Sequence, residues 1–362
     1  KKLYVIGCLS ERYMKSLKDE IPEVDKYFGV NDMNNILKEF GICFRQDFDT
    51  DRILTGPGHY AYLKVSEGCD RNCAFCAIPF IRGRCISRPL EELVEEARLL
   101  AESGVKELIL VAQDLTYYGI DLYKTQKLPD LITELLKSGY FEWIRLHYLY
   151  PAGFPQNLIP VIRDNPVICN YIDLPVQHIS DRMLKIMKRS HGRHETEKLL
   201  TKIRKEIPDA CIRTTMIVGH PGEREEDFRE LRRFTEEFRF DRLGVFTYSN
   251  EEGTYSYKNY KDDIPGEIKE ARLSELMELQ QSISAGLNEK RVGQTLKVVI
   301  DRREGDFLIG RTEYDSPEID QEVLINDKHD LKPGNFYDIR ITKALDFDLL
   351  GEPEAKCKRP RE

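Results

Sequence analysis

The chain has 362 residues, nine of them cysteines, and a formal net charge of -8 at pH 7. The negative charge argues against overall attraction to nucleic acid, and the length favours two or three domains. No apolar run reaches the length of a membrane span, and no signal-peptide pattern opens the chain. Three clustered cysteines and six scattered ones do not form a disulfide framework, so we expect a protein of the reducing cytoplasm that does not contact a membrane.

The first fifty residues predict part of a small α/β domain. Residues 3–8 have the pattern of a buried strand with no earlier strand to pair with, and two short helices and a short strand follow. Residues 46–59 are polar and include Gly56-Pro57-Gly58, which is typical of a linker. We therefore expect residues 1–50 to be the remainder of an N-terminal domain plus a linker, in a sequence that begins inside that domain.

Residues 56–288 predict a six-fold alternation of strands and helices. The predicted strands are residues 60–65, 107–112, 143–148, 171–174, 211–218 and 242–246. Each is followed by a segment with apolar residues at helical spacing, as in a parallel sheet with helices outside it. Right-handed crossovers would wrap this sheet into a partial parallel (β/α)6 barrel. An active site is expected at the carboxyl ends of its strands.

Residues 291–352 predict a second, smaller domain. Five short runs of alternating apolar residues are separated by Gly305, Gly310 and Pro333-Gly334. This pattern favours a small antiparallel five-stranded β-barrel, similar in size to an OB fold. The fold class is therefore α/β, with the small barrel following the partial (β/α)6 barrel.

Cys69, Cys73 and Cys76 carry the strongest chemical signal, because they are spaced C-x3-C-x2-C directly after the first barrel strand. Three thiolates can hold three irons of a 4Fe-4S cluster, which is ordinarily tied by four cysteines, and leave one iron open to a ligand. A structural zinc site closed by a fourth cysteine, Cys85 or Cys43, is the alternative. A disulfide fits less well because intracellular thiols stay reduced.

Several stretches together resemble the radical S-adenosylmethionine superfamily and, within it, the methylthiotransferases with a C-terminal TRAM domain. The matching stretches cover nearly the whole chain and are residues 66–79, 82–84, 87–89, 219–223 and 252–254. The resemblance implies S-adenosylmethionine bound at the cluster of Cys69, Cys73 and Cys76. It also implies a second 4Fe-4S cluster in the full-length protein, with Cys8 in Gly7-Cys8-Leu9-Ser10 as one ligand. We expect only the first cluster in the sequence given.

Two branches of this family differ in their target, which is either an adenosine of transfer RNA or an aspartate of the small-subunit ribosomal protein at the decoding centre. Residues 113–119 and 315–320 resemble the ribosomal branch. Residues 291–348 hold nine basic and thirteen acidic side chains, which suits a basic protein partner better than RNA. The predicted reaction is methylthiolation of Cβ of that aspartate. The alternatives are a transfer RNA methylthiotransferase and a zinc-stabilised RNA-binding module.

Candidate cofactor contacts follow from positions near the predicted strand ends. They are Phe75 for the adenine, Gln113 and Asp114 for the amino group, and Thr214 (with Thr215), Gly219 and Glu223 after the fifth strand. Each also has a structural interpretation, such as loop packing for Phe75 or a helix start for Glu223.

Arg145 and His147 on the third strand are interpreted as structural groups that point into the barrel. Chemistry of this type needs a one-electron reductant as a partner. The substrate protein is expected to contact the TRAM domain, and the enzyme is expected to be a monomer.

Overall fold

The computed structural model describes residues 1–42 and 52–354. Residues 46–51 of the predicted linker lie outside this range, as do Cys43 and Cys357. At the start of the chain, strand β1 (Tyr4–Ile6) precedes helix α1 (Cys8–Glu20), strand β2 (Lys26–Phe28) and helix α2 (Met33–Glu39). Strand β1 pairs in parallel with β2, so its partner comes from later in the chain.

The middle of the chain contains the six predicted strands and the helices between them, with several additional short elements. In chain order these are β3 (Tyr60–Lys64), β4 (Ser66–Glu67), α3 (Ile78–Ile81), β5 (Ile86–Ser87), α4 (Leu90–Glu102), β6 (Glu107–Val111), α5 (Ile120–Tyr123), α6 (Leu128–Ser138), β7 (Trp143–Leu146), α7 (Leu158–Arg163), β8 (Tyr171–Asp173), α8 (Asp181–Ile186), α9 (Arg193–Glu206), β9 (Cys211–Val218), α10 (Glu225–Phe238), β10 (Arg242–Thr247), α11 (Tyr255–Asn259) and α12 (Gly266–Glu289).

The six long strands form a parallel arrangement in chain order. One sheet has the order β3-β6-β7 and the other β8-β9-β10, and all their pairings are parallel. A parallel bridge between Ile144 and Ile168 joins the two sheets. Within the described residues β10 does not pair with β3, which leaves the barrel open. The predicted partial (β/α)6 barrel is confirmed.

Strand β9 shows how the sequence divides the two faces of this sheet. Ile212, Met216 and Val218 belong to the main apolar core against the helices, whereas Arg213 and Thr215 lie on the opposite face, because successive side chains alternate. Burying one such aliphatic side chain fully stabilises the fold by about 1.5–3 kcal/mol. The helical layer thus fixes the sheet, and its inner face is left for polar side chains.

The last part of the chain is a closed five-stranded barrel in the order β11-β12-β13-β15-β14. Its strands are β11 (Thr295–Glu304), β12 (Phe307–Thr312), β13 (Val323–Asn326), β14 (Phe336–Ala344) and β15 (Leu349–Pro353). The pairing of β13 with β15 is parallel, so the expectation of a purely antiparallel barrel is corrected at this one pair. A closed ring of five strands needs one such pair, because an odd number of strands cannot all alternate in direction.

The segment of residues 311–321, which we call the plug, connects the small barrel to all six strands of the large one. It does so near the amino ends of most strands, through Arg311–Glu107 (2.5 Å), Arg145–Glu313 O (2.8 Å), Tyr171–Asp320 (2.6 Å), Arg242–Asp315 (2.5 Å), Tyr60–Glu318 (2.9 Å) and Arg213–Asp320 (3.4 Å). His147, which follows β7, also hydrogen-bonds Ser316 at 2.8 Å. The plug therefore closes the bottom of the large barrel and leaves the carboxyl ends free.

Candidate active site

The loop that carries the three cysteines is closed at its base by a hairpin that the sequence analysis did not anticipate. Strands β4 and β5 pair antiparallel, and the Cys69 N–H donates to Gly83 O at 3.1 Å. Gly68 has φ of 82°, and a Cβ there would lie 2.1 Å from Arg84 O. Only glycine fits this position, so the tight turn before Cys69 requires the residue that the sequence has.

The middle of the loop is fixed from two sides. The Ala74 N–H donates to Met187 O at 2.8 Å, and the Ser256 N–H donates to Ala74 O at 2.8 Å. These bonds tie the loop to the end of α8 and to α11. Cys69, Cys73 and Cys76 consequently line one cavity of about 330 Å³ at the carboxyl ends of the strands. The structure thus brings the three cysteines together where the barrel geometry predicts an active site.

Burial changes the acidity of the thiols in this loop. Burial raises the pKa of the Cys69 thiol to about 12 and also raises the pKa of Cys76. Both thiols therefore hold their protons more tightly than a free cysteine does, and a metal ion that binds them must displace those protons.

Cys85 does not close a zinc site with the three cysteines, and Cys43 lies outside the described residues. In residues 1–42 and 52–354, no three His, Cys, Asp or Glu side chains are already arranged around a metal position, whether for zinc or for iron. Cys85 is buried, its N–H donates to Asp70 Oδ1 at 3.2 Å, and it is absent from the cavity wall. The donor set that faces the cavity is three thiols, which fits a 4Fe-4S cluster with one open iron.

A cationic wall stands beside the cysteines. The Tyr150 ring lies between the guanidinium groups of Arg71 and Arg189, at 4.1 and 4.2 Å from its centroid. Arg71 Nε donates to Asp114 Oδ2 at 2.7 Å, and Arg189 Nη1 lies 3.4 Å from Cys73 Sγ. Arginines stacked on an aromatic ring are held in place for anion binding. Sequence reasoning missed this wall.

Two glutamines offer acceptors for a ligand. Gln113 and Gln177 line the cavity, and the Oε1 atom of each is buried without a hydrogen-bond partner in the described part of the chain. Gln177 and Tyr148 also have positive φ values of 69° and 57°. Such strain persists where the surrounding structure enforces it, often at ligand sites. With Phe75 and Phe246 also on the wall, the cavity fits a ligand that combines an aromatic base, amino donors and a carboxylate.

The predicted cofactor contacts divide into two groups. Phe75 and Gln113 line the cavity, and Asp114 lies behind it, where it holds Arg71. The structure does not bring Thr214, Gly219 and Glu223 to the cavity wall. The Thr214 hydroxyl donates to Leu174 O at 2.9 Å, and its neighbour Thr215 is the one that lines the cavity.

Glu223 belongs to a buried ion pair outside the cavity. It accepts the Gly219 N–H at 2.6 Å and pairs with Arg272 at 3.0 Å. Burial raises the pKa of its carboxyl to about 7. A Cβ on Gly219 would lie 2.4 Å from Lys269, so this glycine accommodates a neighbouring side chain.

Cys8 lies at the start of α1 and is exposed. Arg82 Nη2 donates to its sulfur at 3.0 Å, and Arg82 Nη1 lies 3.4 Å from Glu67. Glu67 in turn accepts from Gln113 at 2.8 Å. A chain of polar contacts thus joins Cys8 to the wall of the cavity.

Comparisons with known proteins agree with this geometry. Residues 63–235 match the Radical SAM superfamily, and residues 292–353 match the TRAM domain. A cobalamin-dependent S-adenosylmethionine radical enzyme, OxsB, shares the fold with a TM-score of 0.50 at 11% identity, over 77% of this chain and 43% of that one. The three-cysteine loop on this barrel defines a radical S-adenosylmethionine protein with a TRAM domain.

Similarity to curated relatives identifies the family to which the chain belongs within this class. The chain is 55% identical to the ribosomal protein uS12 methylthiotransferase RimO of Phocaeicola vulgatus, over 96% of this chain and 81% of that protein. It is 54% identical to RimO of Bacteroides thetaiotaomicron, over 97% and 81%. The chain belongs to the RimO family of radical S-adenosylmethionine methylthiotransferases. In the described residues, no helix is long and apolar enough to cross a membrane.

Proposed function

We propose that this protein adds a methylthio group to Cβ of an aspartate in the ribosomal protein uS12. The observation that carries the proposal is the trio of Cys69, Cys73 and Cys76 on the wall of a cavity at the carboxyl ends of the strands. Relatives named uS12 methylthiotransferases are 54% and 55% identical to the chain over the aligned residues. The division into residues 1–50, 56–288 and 291–352 is kept as part of this proposal.

The three cysteines would hold one 4Fe-4S cluster, and the cavity beside them would receive S-adenosylmethionine. When bound and reduced, this pair supplies radical chemistry that removes hydrogen from an unactivated carbon. Phe75 would lie against the adenine, and Gln113 and Gln177 would accept hydrogen bonds from the cofactor. Arg189 would receive the cofactor carboxylate, because it is next to Cys73 and has no carboxylate partner in the described residues.

Other residues would support the cavity without entering it. Asp114 holds Arg71, and Thr214, Gly219 and Glu223 stabilise the strand end and the turn behind the wall. Cys8 would be one ligand of a second 4Fe-4S cluster, near the cavity because of its contact with Arg82. The proposal also includes that the enzyme is a cytoplasmic monomer and that a one-electron reductant supplies its electrons.

Not all of the acidic side chains of the TRAM barrel are available to bind a basic substrate. Several of its acidic side chains face the large barrel and are already paired there, namely Asp301, Glu313, Asp315, Glu318 and Asp320. Arg311 is buried in the same interface. The proposed contact between the TRAM domain and uS12 therefore depends on its outer face.

Mass spectrometry of uS12 tests the proposed function. Cells that lack the gene should give uS12 without the added methylthio mass, and the intact gene should restore it. Cys73→Ala should fail to restore the modification, because a cluster ligand is missing, whereas Cys85→Ala should restore it as a matched control. Purified without oxygen, the wild-type chain should bind about four irons at this loop, and Cys73→Ala should lose them. Unmodified uS12 in cells with the intact gene would contradict the proposal.

A further inference from the structure

The cavity holds three arginines, whereas the cofactor offers one carboxylate. Arg71, Arg189 and Arg213 line it. Arg71 is satisfied by Asp114 and by Ala152 O at 3.1 Å. Arg189 lies beside the cysteine loop, so it is suited to the cofactor. Under the proposed function a second carboxylate, that of the target aspartate, also enters this space. Arg213 is the candidate to meet it, because it contacts Asp320 in the segment of residues 315–320 that resembles the ribosomal branch.

The placement of Arg213 suits this role. It lies on the inner face of β9, and its side chain is 16% exposed. Nη1 donates to Asp173 Oδ1 at 3.0 Å, and Nε lies 3.4 Å from Asp320 Oδ1. Nη2 has no hydrogen-bond partner among the residues that the structure describes. It is not one of the buried side-chain atoms that lack a partner, so it is accessible to solvent. The guanidinium is therefore anchored through Nη1 and Nε, and Nη2 is the donor group that remains for a ligand in the cavity.

We propose that Arg213 binds the carboxylate of the target aspartate and that Asp320 of the plug is a positioning residue for it. The proposal rests on the proposed function and adds the group that recognises the acceptor. Because Asp173 and Asp320 already flank the guanidinium, recognition comes from the directed hydrogen bonds of the free Nη2 group and not from surplus positive charge. A nucleoside acceptor carries no carboxylate, so Arg213 selects for an acidic side chain.

Asp320 is itself held firmly. The Tyr171 hydroxyl donates to Asp320 Oδ2 at 2.6 Å, and the Ser316 N–H donates to the same atom at 2.9 Å. Residues 315–320 are the TRAM segment that resembles the ribosomal branch. Through Asp320, the plug of the small barrel therefore influences which acceptor binds inside the large barrel.

Two peptides test the assignment with the cluster-loaded chain, S-adenosylmethionine and dithionite. One covers the target aspartate of uS12 with deuterium at Cβ, and the other has asparagine there, deuterated in the same way. The readouts are the peptide Kd and the transfer of deuterium to 5′-deoxyadenosine. Wild type should prefer the aspartate peptide. Arg213→Gln should weaken binding of that peptide about 10- to 100-fold and abolish the preference.

Further variants separate recognition from folding. Arg213→Lys keeps a charge without the planar edge and should retain part of the preference. Asp320→Asn should raise KM more than it lowers kcat, with Asp320→Glu closer to wild type. Arg233→Gln, which changes an exposed arginine on α10, is the matched control. If an Arg213→Gln or Arg213→Lys chain prefers the aspartate peptide as strongly as wild type does, the role assigned to Arg213 is wrong and the proposed function still stands. A wild-type chain that takes deuterium from neither peptide would overturn the proposed function instead.

Discussion

At the scale of single residues, the cationic wall of the cavity depends on Tyr150. Its ring contacts two guanidinium groups, and each such contact contributes on the order of 0.5–2 kcal/mol. We expect Tyr150→Leu to lower the free energy of unfolding by about 2 kcal/mol and to weaken S-adenosylmethionine binding, because Arg71 and Arg189 lose their common support. Tyr150→Phe keeps the ring and should cost less than about 1 kcal/mol. Denaturant unfolding and a cofactor titration measure both effects, and equal losses in the two variants would contradict this explanation.

The same residues show what a sequence can reveal at this scale. Cys69, Cys73 and Cys76 are recognisable because one short loop holds them all at a spacing that suits a cluster. Arg71, Tyr150 and Arg189 are separated by dozens of residues and form no local pattern, so only the folded barrel brings them together. Gln113 was predictable because it ends a strand, whereas Gln177 lies in a loop with no such signal.

At the scale of an element, two neighbouring residues of strand β9 have different roles. Thr214 stabilises the fold, and Thr215 lines the ligand cavity. The Thr214 hydroxyl donates to Leu174 O and accepts the Val176 N–H, both out of solvent. Thr214→Val should therefore cost about 1–3 kcal/mol of unfolding free energy. Thr215→Val should change stability by less than about 0.5 kcal/mol and weaken cofactor binding about 2- to 10-fold. Equal effects of the two substitutions in thermal unfolding and cofactor titration would show that the faces are assigned wrongly.

The choice between Thr214 and Thr215 could not be made from sequence for a physical reason. A strand in a parallel barrel is covered on both faces, so apolar and polar residues do not alternate cleanly enough to identify the inner one. A shift of one residue moves every side chain to the other face. The strands themselves were predictable because their β-then-α order is long and regular, and the hairpin of β4 and β5 was not, because two residues per strand leave no period.

At the scale of the whole molecule, the seating of the small barrel on the large one was also beyond the sequence. The composition of residues 291–348 showed an acidic surplus, but it could not show that Asp315 and Asp320 are directed inward. Those contacts join positions far apart in the chain, such as Arg242 with Asp315. The plug makes the two barrels depend on each other, since each supplies counter-charges for groups that the other buries.

This mutual dependence predicts a single cooperative unfolding transition for the two barrels. Asp315 pairs with Arg242 at 2.5 Å and accepts from the Thr312 hydroxyl at 2.6 Å. Asp315→Ala should lower the free energy of unfolding by about 3–5 kcal/mol, because it leaves the charge of Arg242 buried without its ion-pair partner. Glu318→Ala removes an exposed plug carboxylate and should cost under about 1 kcal/mol. Calorimetry measures both, and a small barrel that melts separately in the wild-type chain would refute the coupling.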